Sequence, residues 1–320
     1  MTEFGFIDQI KALCESLPKC GCEGIGDDCA VMPIGGGRSL HFTGDMLVER
    51  VHFLREATSP YDLGRKSLAV NLSDVASMGA RPVATLLSLS IPSELMGGWI
   101  EEFMRGYRDL SLEHGVALIG GDTTASKLDL AINITAIGES EDHLIKRRSG
   151  ARVGDLIVVT GDLGGSGRGL RDLLNGHFES PAAQLHKRPT ARVNEGQWLA
   201  RWGEIHSMMD ISDGVASDLR HILKASDVGA EVELSLVPIS KVEAIEEPNC
   251  GALRDALSAG EDYELLFTCE AEAFERLATQ YKERFGQPLS QIGKIVAGAE
   301  LVWLDGGVAV GDDFSGFTHY

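Results

Sequence analysis

The chain has 320 residues, of which 29 are Lys or Arg and 48 are Asp or Glu, so its formal net charge is −19. With 43% hydrophobic and 24% charged residues it has the composition of a globular protein, and it is long enough for two domains that each bury a core. A balance this acidic argues against a nucleic-acid partner and against an anionic membrane surface, since both require a basic face.

The N-terminal segment, Met1–Leu13, has apolar residues at helical spacing with acidic residues between them. It lacks the basic start and apolar core of a signal peptide, and no apolar run approaches the ~20 residues that span a bilayer. The six cysteines are scattered, and no nearby Cys or His pair supplies the further ligands that Cys20 and Cys22 would need for a metal site. We therefore expect a cytoplasmic protein with reduced thiols.

The first half of the chain is expected to fold as an α+β domain. Alternating apolar residues predict strands at Leu40–Asp45, Val83–Ser90 and Leu128–Ala136. A helix begins at Ser59-Pro60, because serine is a good cap and proline is tolerated in a first turn, and it ends before Gly79 and Pro82. A second helix is expected over Ser93–His114.

The second half is expected to be an α/β domain. The polar, basic stretch Glu139–Val153 marks the boundary, which gives domains of residues 1–138 and 139–320. Predicted strands follow at Leu156–Thr160, Ile205–Met209, Glu231–Leu236 and Glu264–Cys269. Predicted helices alternate with them at Ser166–Asn175, Thr190–Trp202, Ala216–Ala225 and Ala271–Phe285. This alternation indicates a layered structure of helices on a sheet.

Acidic residues recur beside glycines and next to predicted strands. They are Asp27, Asp28, Asp45, Asp122, Asp210, Asp213, Glu261 and Asp262. Any single Gly-Asp pair is ordinary turn chemistry. Asp74 is different, because it lies inside an apolar helix where a carboxylate is costly to bury unless it is paired or metal-bound. Asp122 follows Leu118-Ile119, which has the pattern of a buried strand.

These acids, if they converge, require cations. Two like charges about 4 Å apart repel by roughly 4 kcal/mol at an effective dielectric constant near 20. Oxygen ligands without His or Cys favour Mg²⁺, which usually bridges protein carboxylates to phosphate oxygens. The acidic residues therefore predict a site that handles nucleotide phosphates.

Phosphate-binding elements of other enzyme classes are missing or weak. The sequence contains neither a Walker motif nor the protein-kinase loops. The loop Gly161–Gly169 could either bind an anion with its backbone N–H groups or serve as a structural turn. Basic candidates for phosphate contact are Arg147, Arg148, Arg188, Arg192 and His52, each of which could equally be structural or solvent-facing.

Five motifs together resemble the thiamine-monophosphate kinase family of the aminoimidazole ribonucleotide synthetase superfamily. They occur in the family's order and spacing at Gly24–Ala30, Asn71–Pro82, Gly120–Thr124, Asp210–Gly214 and Gly260–Leu265. The resemblance covers essentially the whole chain. It implies a two-domain fold whose first sheet pairs across a homodimer. It also implies Mg²⁺-dependent transfer of the γ-phosphoryl group of ATP to thiamine monophosphate, the last step in making thiamine diphosphate.

The resemblance also implies roles for individual residues. The family's ligands to several Mg²⁺ ions fall on Asp27, Thr43, Asp45, Asp74, Asp122, Asp210 and Asp213. Its ATP contacts fall on Gly121, Asp122, Arg148 and Ser212. Its substrate contacts fall on His52, Glu261 and Phe317. No general base is assigned, because a phosphate oxygen is already ionised near neutral pH and the chemistry depends on alignment and charge neutralisation.

Departures from the family pattern leave alternatives open. Gly44 replaces a hydroxyl-bearing residue, so one metal contact there must come from the backbone or water. A sister synthetase of the selenophosphate or aminoimidazole ribonucleotide type is one alternative, since Lys19-Cys20-Gly21-Cys22 faintly resembles the selenophosphate enzymes. A non-catalytic sensor of Mg²⁺–ATP is another, although the acceptor-side residues Glu261 and Phe317 argue against it.

Overall fold

Two β-sheets, one from each half of the chain, organise the fold in the computed structural model, which describes residues 3–245, 251–311 and 314–316. The strands of the first sheet are β1 (Ala30–Gly35), β2 (Arg38–Val48), β3 (Arg81–Pro92), β4 (Ala117–Ser126) and β5 (Ala131–Glu141). Their order is β1-β2-β5-β3-β4, antiparallel except for the β3–β4 pair. The edge strand β4 is exposed almost throughout, so the prediction that Leu118-Ile119 belongs to a buried strand is wrong for the single chain.

The first half also contains the helices α1 (Glu3–Leu13), α2 (Pro60–Ser77) and α3 (Gly98–His114). The hydroxyl of Ser59 accepts from the amide of Asp62 and Pro60 occupies the first turn, as the sequence predicts for α2. The second predicted helix begins five residues late. Ser93–Leu95 forms a separate short 3-10 turn, and Gly97 with φ +110° interrupts the chain before α3.

The second sheet is mixed, with the order β12-β11-β8-β10-β6-β9-β7. Its strands are β6 (Leu156–Thr160), β7 (Ile205–Asp210), β8 (Gly229–Glu233), β9 (Leu265–Cys269), β10 (Leu289–Val296), β11 (Leu301–Asp305) and β12 (Val308–Val310). Its helices are α4 (Gly165–Leu174), α5 (Pro181–Lys187), α6 (Val193–Leu199), α7 (Val215–Ser226), α8 (Gly251–Ser258) and α9 (Phe274–Phe285). The two-domain α+β and α/β architecture is thereby confirmed. No helix among the described residues is both long and apolar enough to cross a bilayer.

Helix α2 is buried along most of its length because both halves of the chain pack on it. Leu68, Leu72 and Val75 are completely inaccessible to solvent. Two close backbone contacts set its position against α3. A Cβ added to Gly64 would lie 2.0 Å from the carbonyl oxygen of Phe103, and one added to Gly106 would lie 1.9 Å from that of Tyr61. The helix therefore fixes every side chain that it presents to the site.

Candidate active site

Three carboxylates approach one another where α2 meets the two sheets. Asp45 lies within β2, Asp74 on α2 and Asp210 at the end of β7. The amide of Asp45 donates to Asn71 Oδ1 at 3.0 Å, which ties β2 to α2. Ser73 Oγ donates to Asp210 Oδ2 at 2.5 Å, which ties α2 to the second sheet. The hydroxyl of Thr43 donates to Asp74, so these four predicted metal-site residues form one neighbourhood.

The electrostatics of this cluster favour a cation. Burial, followed by the charges of Asp45, Asp210 and Asp28, holds the pKa of Asp74 well above its usual range. Burial, and next the charge of Asp28, raises the pKa of Asp45 to about 6. The same two causes raise the pKa of Asp210 to about 8. A bound cation would reverse these shifts by stabilising the ionised forms.

The donor set fits Mg²⁺ in chemistry, because it consists of carboxylate and hydroxyl oxygens. Within the described ranges 3–245, 251–311 and 314–316, no three His, Cys, Asp or Glu side chains are already arranged around a single ion position. Water and nucleotide oxygens commonly complete the coordination of Mg²⁺, so a partial protein shell suits this ion.

Asp27 and Asp28 are held by Arg148, which the resemblance assigns to ATP. The amide of Arg148 donates to Asp27 Oδ1 at 2.7 Å, and its guanidinium Nε donates to Asp28 Oδ1 at 2.8 Å. Burial is the main reason that the pKa of Asp27 rises to about 6. The guanidinium thus neutralises Asp28 at the border of the carboxylate cluster.

The other basic candidates are engaged in ion pairs that hold the fold. Arg147 pairs with Glu23 at 2.8 Å, Arg188 pairs with Asp62, and Arg192 pairs with Glu264.

The backbone N–H groups of the glycine-rich loop also have a partner within the protein. Asp262 accepts from the amides of Gly164 at 2.6 Å and Ser166 at 3.2 Å. Two of the loop's donors therefore already bind an internal carboxylate, which favours the structural-turn interpretation.

A cavity of about 370 Å³ lies beside the cluster. Five of the site residues predicted from the sequence line it, namely Asp45, His52, Ser212, Asp213 and Glu261. One wall is apolar and includes Phe53, Leu54, Val70, Leu170 and Leu173. The structure thus brings residues assigned to metal and nucleotide together with two residues assigned to the acceptor.

Backbone hydrogen bonds join the two loops that form the cavity's floor. The amide of Glu261 donates to the carbonyl of Ser212 at 2.8 Å, and that of Tyr263 donates to the carbonyl of Ile211 at 2.9 Å. Glu261 and Tyr263 both have left-handed backbones, with φ of +56° and +52°. Such conformations are uncommon outside glycine and cluster at functional sites.

His52 enters the cavity with a defined tautomer. The amide of Val48 donates to His52 Nδ1 at 3.0 Å, so this nitrogen is the acceptor. The proton of the neutral imidazole then lies on Nε2, the nitrogen that can donate to a ligand oxygen.

Two predicted ATP-site residues lie elsewhere in the single chain, and one substrate residue cannot be placed. Gly121 and Asp122 are on the exposed strand β4 and line a different groove, together with Leu87, Leu89 and Met104. Phe317 is outside the described residues.

Sequence reasoning missed two further residues of the cavity, Lys66 on α2 and His186 on α5. A signal for Lys66 was available. It lies four residues before Val70 and eight before Asp74, so these three residues share one face of a helix. His186 carries no comparable signal, because its position depends on how α5 packs against the rest of the molecule.

Comparisons with known proteins agree with this geometry. Family models for the N-terminal and C-terminal domains of AIR synthase related proteins match residues 26–140 and 152–304. The thiamine-monophosphate kinase of Haemophilus influenzae is 41% identical over 276 residues, covering 85% of this chain and 82% of that protein. The Escherichia coli K12 thiamine-monophosphate kinase is 40% identical over 304 residues, covering 93% of this chain and 91% of that one.

A solved structure described as AaThiL complexed with AMPPCP and TMP superposes with a TM-score of 0.85 at 32% identity. The match covers 100% of this chain and 97% of that one. Sequence and structure therefore agree over nearly the whole length, and the chain belongs to the thiamine-monophosphate kinase family of AIR synthase related proteins.

Proposed function

We propose that this protein phosphorylates thiamine monophosphate to thiamine diphosphate by direct transfer of the γ-phosphoryl group of ATP. The observation that carries the proposal is the cavity in which Asp45, Ser212 and Asp213 meet His52 and Glu261. One end of this cavity is suited to metal and polyphosphate, and the other combines an apolar wall with a carboxylate. A relative solved with an ATP analogue and TMP supports the same pairing of ligands.

The metal end would be built from residues of both halves. We propose as Mg²⁺ ligands the residues Asp27, Thr43, Asp45, Asp74, Asp122, Asp210 and Asp213. Asp122 lies apart from the others in the single chain, so its role requires that β4 of a second copy reach the site in the homodimer proposed below. Bound Mg²⁺ neutralises the charge of the phosphate groups and so allows two anions to approach. The protein's own contribution is to hold carboxylates on rigid elements, with Asn71 and Ser73 fixing the strands to α2.

The remaining roles are proposed from the family resemblance, and of these residues Ser212, His52 and Glu261 line the cavity. Gly121, Asp122, Arg148 and Ser212 are proposed to contact ATP, and His52, Glu261 and Phe317 to contact thiamine monophosphate. His52 can donate its Nε2–H to the acceptor phosphate. No residue needs to remove a proton, since the attacking phosphate oxygen is ionised near neutral pH, and catalysis depends on in-line placement.

We also propose a homodimer built on the first sheet, domains of residues 1–138 and 139–320, and a cytoplasmic location. The exposed edge strand β4 supports the dimer, because a long unpaired edge with apolar side chains favours association. The described cysteines Cys14, Cys20, Cys22, Cys29 and Cys269 are all free, which suits a reducing compartment.

Incubation with Mg²⁺, ATP and thiamine monophosphate tests the proposal, with thiamine diphosphate as the measured product. A sister synthetase would consume ATP only with a different co-substrate, and a sensor would bind Mg²⁺–ATP without turnover. Absence of thiamine diphosphate from a folded preparation that binds Mg²⁺–ATP would reject the kinase assignment.

The metal assignment predicts that Asp45→Asn and Asp122→Asn each lose most kinase activity, by 100-fold or more in order of magnitude, while the protein stays folded. Both substitutions keep the side chain's shape and remove the charge that faces Mg²⁺. Asp109→Asn is the matched control, because this carboxylate lies on α3, where it bonds Tyr61 and Arg108, and should leave turnover unchanged. Near-normal turnover in either site variant would contradict the assignment.

A further inference from the structure

A lysine from the first half of the chain is buried against the acceptor end of the cavity. Lys66 is only 1% exposed. Its Nζ lies 3.1 Å from each carboxylate oxygen of Glu261 and 3.2 Å from His186 Nε2. An ammonium group is rarely buried without such partners, because it loses its hydration. Lys66 thus connects α2 with the loop before β9 and with α5.

His186 supports the lysine from behind. Burial, and next the charge of Lys66, lowers the pKa of His186 to about 4, so the ring is neutral at physiological pH. Its Nε2 accepts from the lysine, and its Nδ1 lies 2.9 Å from Ser166 Oγ, to which it donates. The ring therefore holds Nζ in a single place.

All three side chains line the cavity, and Glu261 is the most exposed of them. Its side chain is 25% exposed, compared with 2% for that of Lys66 and 7% for that of His186. Burial raises the pKa of Glu261, but the charge of the Lys66 ammonium, with smaller contributions from neighbouring groups, lowers it by more. The pKa therefore lies below its usual value and the carboxylate is ionised. Glu261 also has a left-handed backbone, with φ of +56°.

We propose that Lys66, supported by His186, is a positioning residue that fixes the Glu261 carboxylate for the heteroaromatic end of the acceptor. This inference rests on the proposed function and deepens it. The Lys66 ammonium and the Glu261 carboxylate together carry no net charge. This pair therefore suits an uncharged N–H donor on the acceptor's aromatic ring better than it suits a positively charged group. Because both glutamate oxygens contact the ammonium, the direction of the carboxylate is set before the acceptor arrives.

The test compares Lys66→Met, Lys66→Arg and Glu261→Gln, with KM measured separately for thiamine monophosphate and for ATP. Lys66→Met should raise the KM for thiamine monophosphate by about tenfold or more, as expected for loss of a charged hydrogen bond, and leave the KM for ATP within about twofold. Lys66→Arg should restore part of the loss, because it keeps a cation that can pair with both oxygens.

Arg65→Met is the matched control. Arg65 is the neighbouring residue on α2 and also forms a two-pronged ion pair, with both Glu113 oxygens at 2.8 Å, but it faces α3 instead of the cavity. It should change neither KM. The double variant Lys66→Met with Glu261→Gln should match Glu261→Gln alone, because both changes act through one carboxylate.

Two results would overturn the proposal while leaving the kinase function intact. One is a normal KM for thiamine monophosphate in a less stable Lys66→Met, which would make the lysine purely structural. The other is a double variant whose KM increase is the product of the two single increases, which would mean independent action. A wild-type protein that neither binds thiamine monophosphate in calorimetry nor converts it would reject the proposed function, and this inference with it.

Discussion

Six carboxylates in and around the site fall into two groups according to their partners. Asp28, Glu261 and Glu264 each contact the cation of Arg148, Lys66 or Arg192. Asp45, Asp74 and Asp210 form no ion pair among the described residues, and their pKa values are raised. A carboxylate paired with a protein cation has its charge balanced by the fold, whereas the second group leaves its balance to a ligand.

Neutral His186 predicts a specific acid sensitivity. Its pKa is about 4 in the folded protein and 6.5 in the unfolded chain, so the unfolded chain takes up the proton first as the pH falls. The contribution of His186 to the free energy of unfolding is greatest above pH 6.5 and decreases between pH 6.5 and 4. At pH 5 it has decreased by about 2 kcal/mol. His186→Gln should therefore lose about 2 kcal/mol less unfolding free energy between pH 7 and 5 than the wild type does.

Denaturant unfolding at the two pH values measures this difference. Glu261 stays ionised between pH 7 and 5, because burial raises its pKa but Lys66 lowers it more, which leaves it below the usual value of 4.5. The raised carboxyl pKa values of the metal cluster act in the opposite direction, but they are common to both proteins and cancel. His143→Gln, at an exposed position, should show the wild-type pH dependence. If the unfolding free energy of the wild type and of His186→Gln changed equally between pH 7 and 5, the conclusion that His186 is buried in its neutral form would be wrong.

At the scale of elements, the crossing of α2 and α3 depends on the absence of side chains. Gly106→Ala would place a methyl group 1.9 Å from the Tyr61 carbonyl oxygen, so the helices must separate. We expect a loss of about 1–3 kcal/mol in unfolding free energy and weaker binding of substrate, because α2 carries both Lys66 and Asp74. Thermal or denaturant unfolding, together with KM, measures the effect.

Gly98→Ala is the control on the same helix. Nothing lies within 4 Å of the methyl group it would add, so stability should stay the same or rise slightly. A Gly106→Ala protein as stable as Gly98→Ala would show that the helix contact can relax, contrary to the close approach described above.

Elements with strong local signals are the ones that sequence reasoning placed correctly. Helix α2 has a serine cap, a first-turn proline and a glycine after its end, and its predicted start is confirmed. Strands β1, β10, β11 and β12 and helices α5 and α8 were not predicted, because short strands and helices depend on neighbours that are distant in sequence. Strand β8 ends at Glu233, three residues before its predicted end, where the chain enters a 3-10 turn.

The same limit applies to the candidate site. Positions next to glycines marked Asp45, Asp213 and Glu261, and the end of a predicted strand marked Asp210, because both signals are local. Lys66 and His186 were missed, since their meeting requires two halves of the chain 120 residues apart. The exposure of Asp122 was also missed, because apolar residues on an unpaired edge strand have the same pattern as residues of a buried strand.

At the scale of the whole molecule, the exposed edge of the first sheet predicts association. Ile119 on β4 is 60% exposed, and Leu118 beside it is 43% exposed. We expect the wild-type protein to sediment at twice the 34.4 kDa mass of the chain. Ile119→Asp should shift it toward the monomer, because a charge on an apolar edge strand opposes pairing.

Val308→Asp provides the comparison. This residue is 67% exposed on β12, the edge strand of the second sheet, and its change should leave the sedimentation of the protein unaltered. A monomeric wild-type protein would contradict the proposed dimer. A dimer that Ile119→Asp leaves intact would show that the dimer interface is not at β4.

Helix α2 carries Lys66 and Asp74 on one face, eight residues apart, so the helical rise separates them by about 12 Å. One end contacts the carboxylate proposed to hold the acceptor's ring, and the other belongs to the proposed metal cluster. Under this assignment the helix fixes the distance between the ring-binding end and the metal-binding end of the site. An acceptor whose ring lies too near its phosphate can engage only one end at a time. The site would then select its substrate by length as well as by chemistry, and simple phosphate esters without the heterocycle would lose the contact at the Glu261 end.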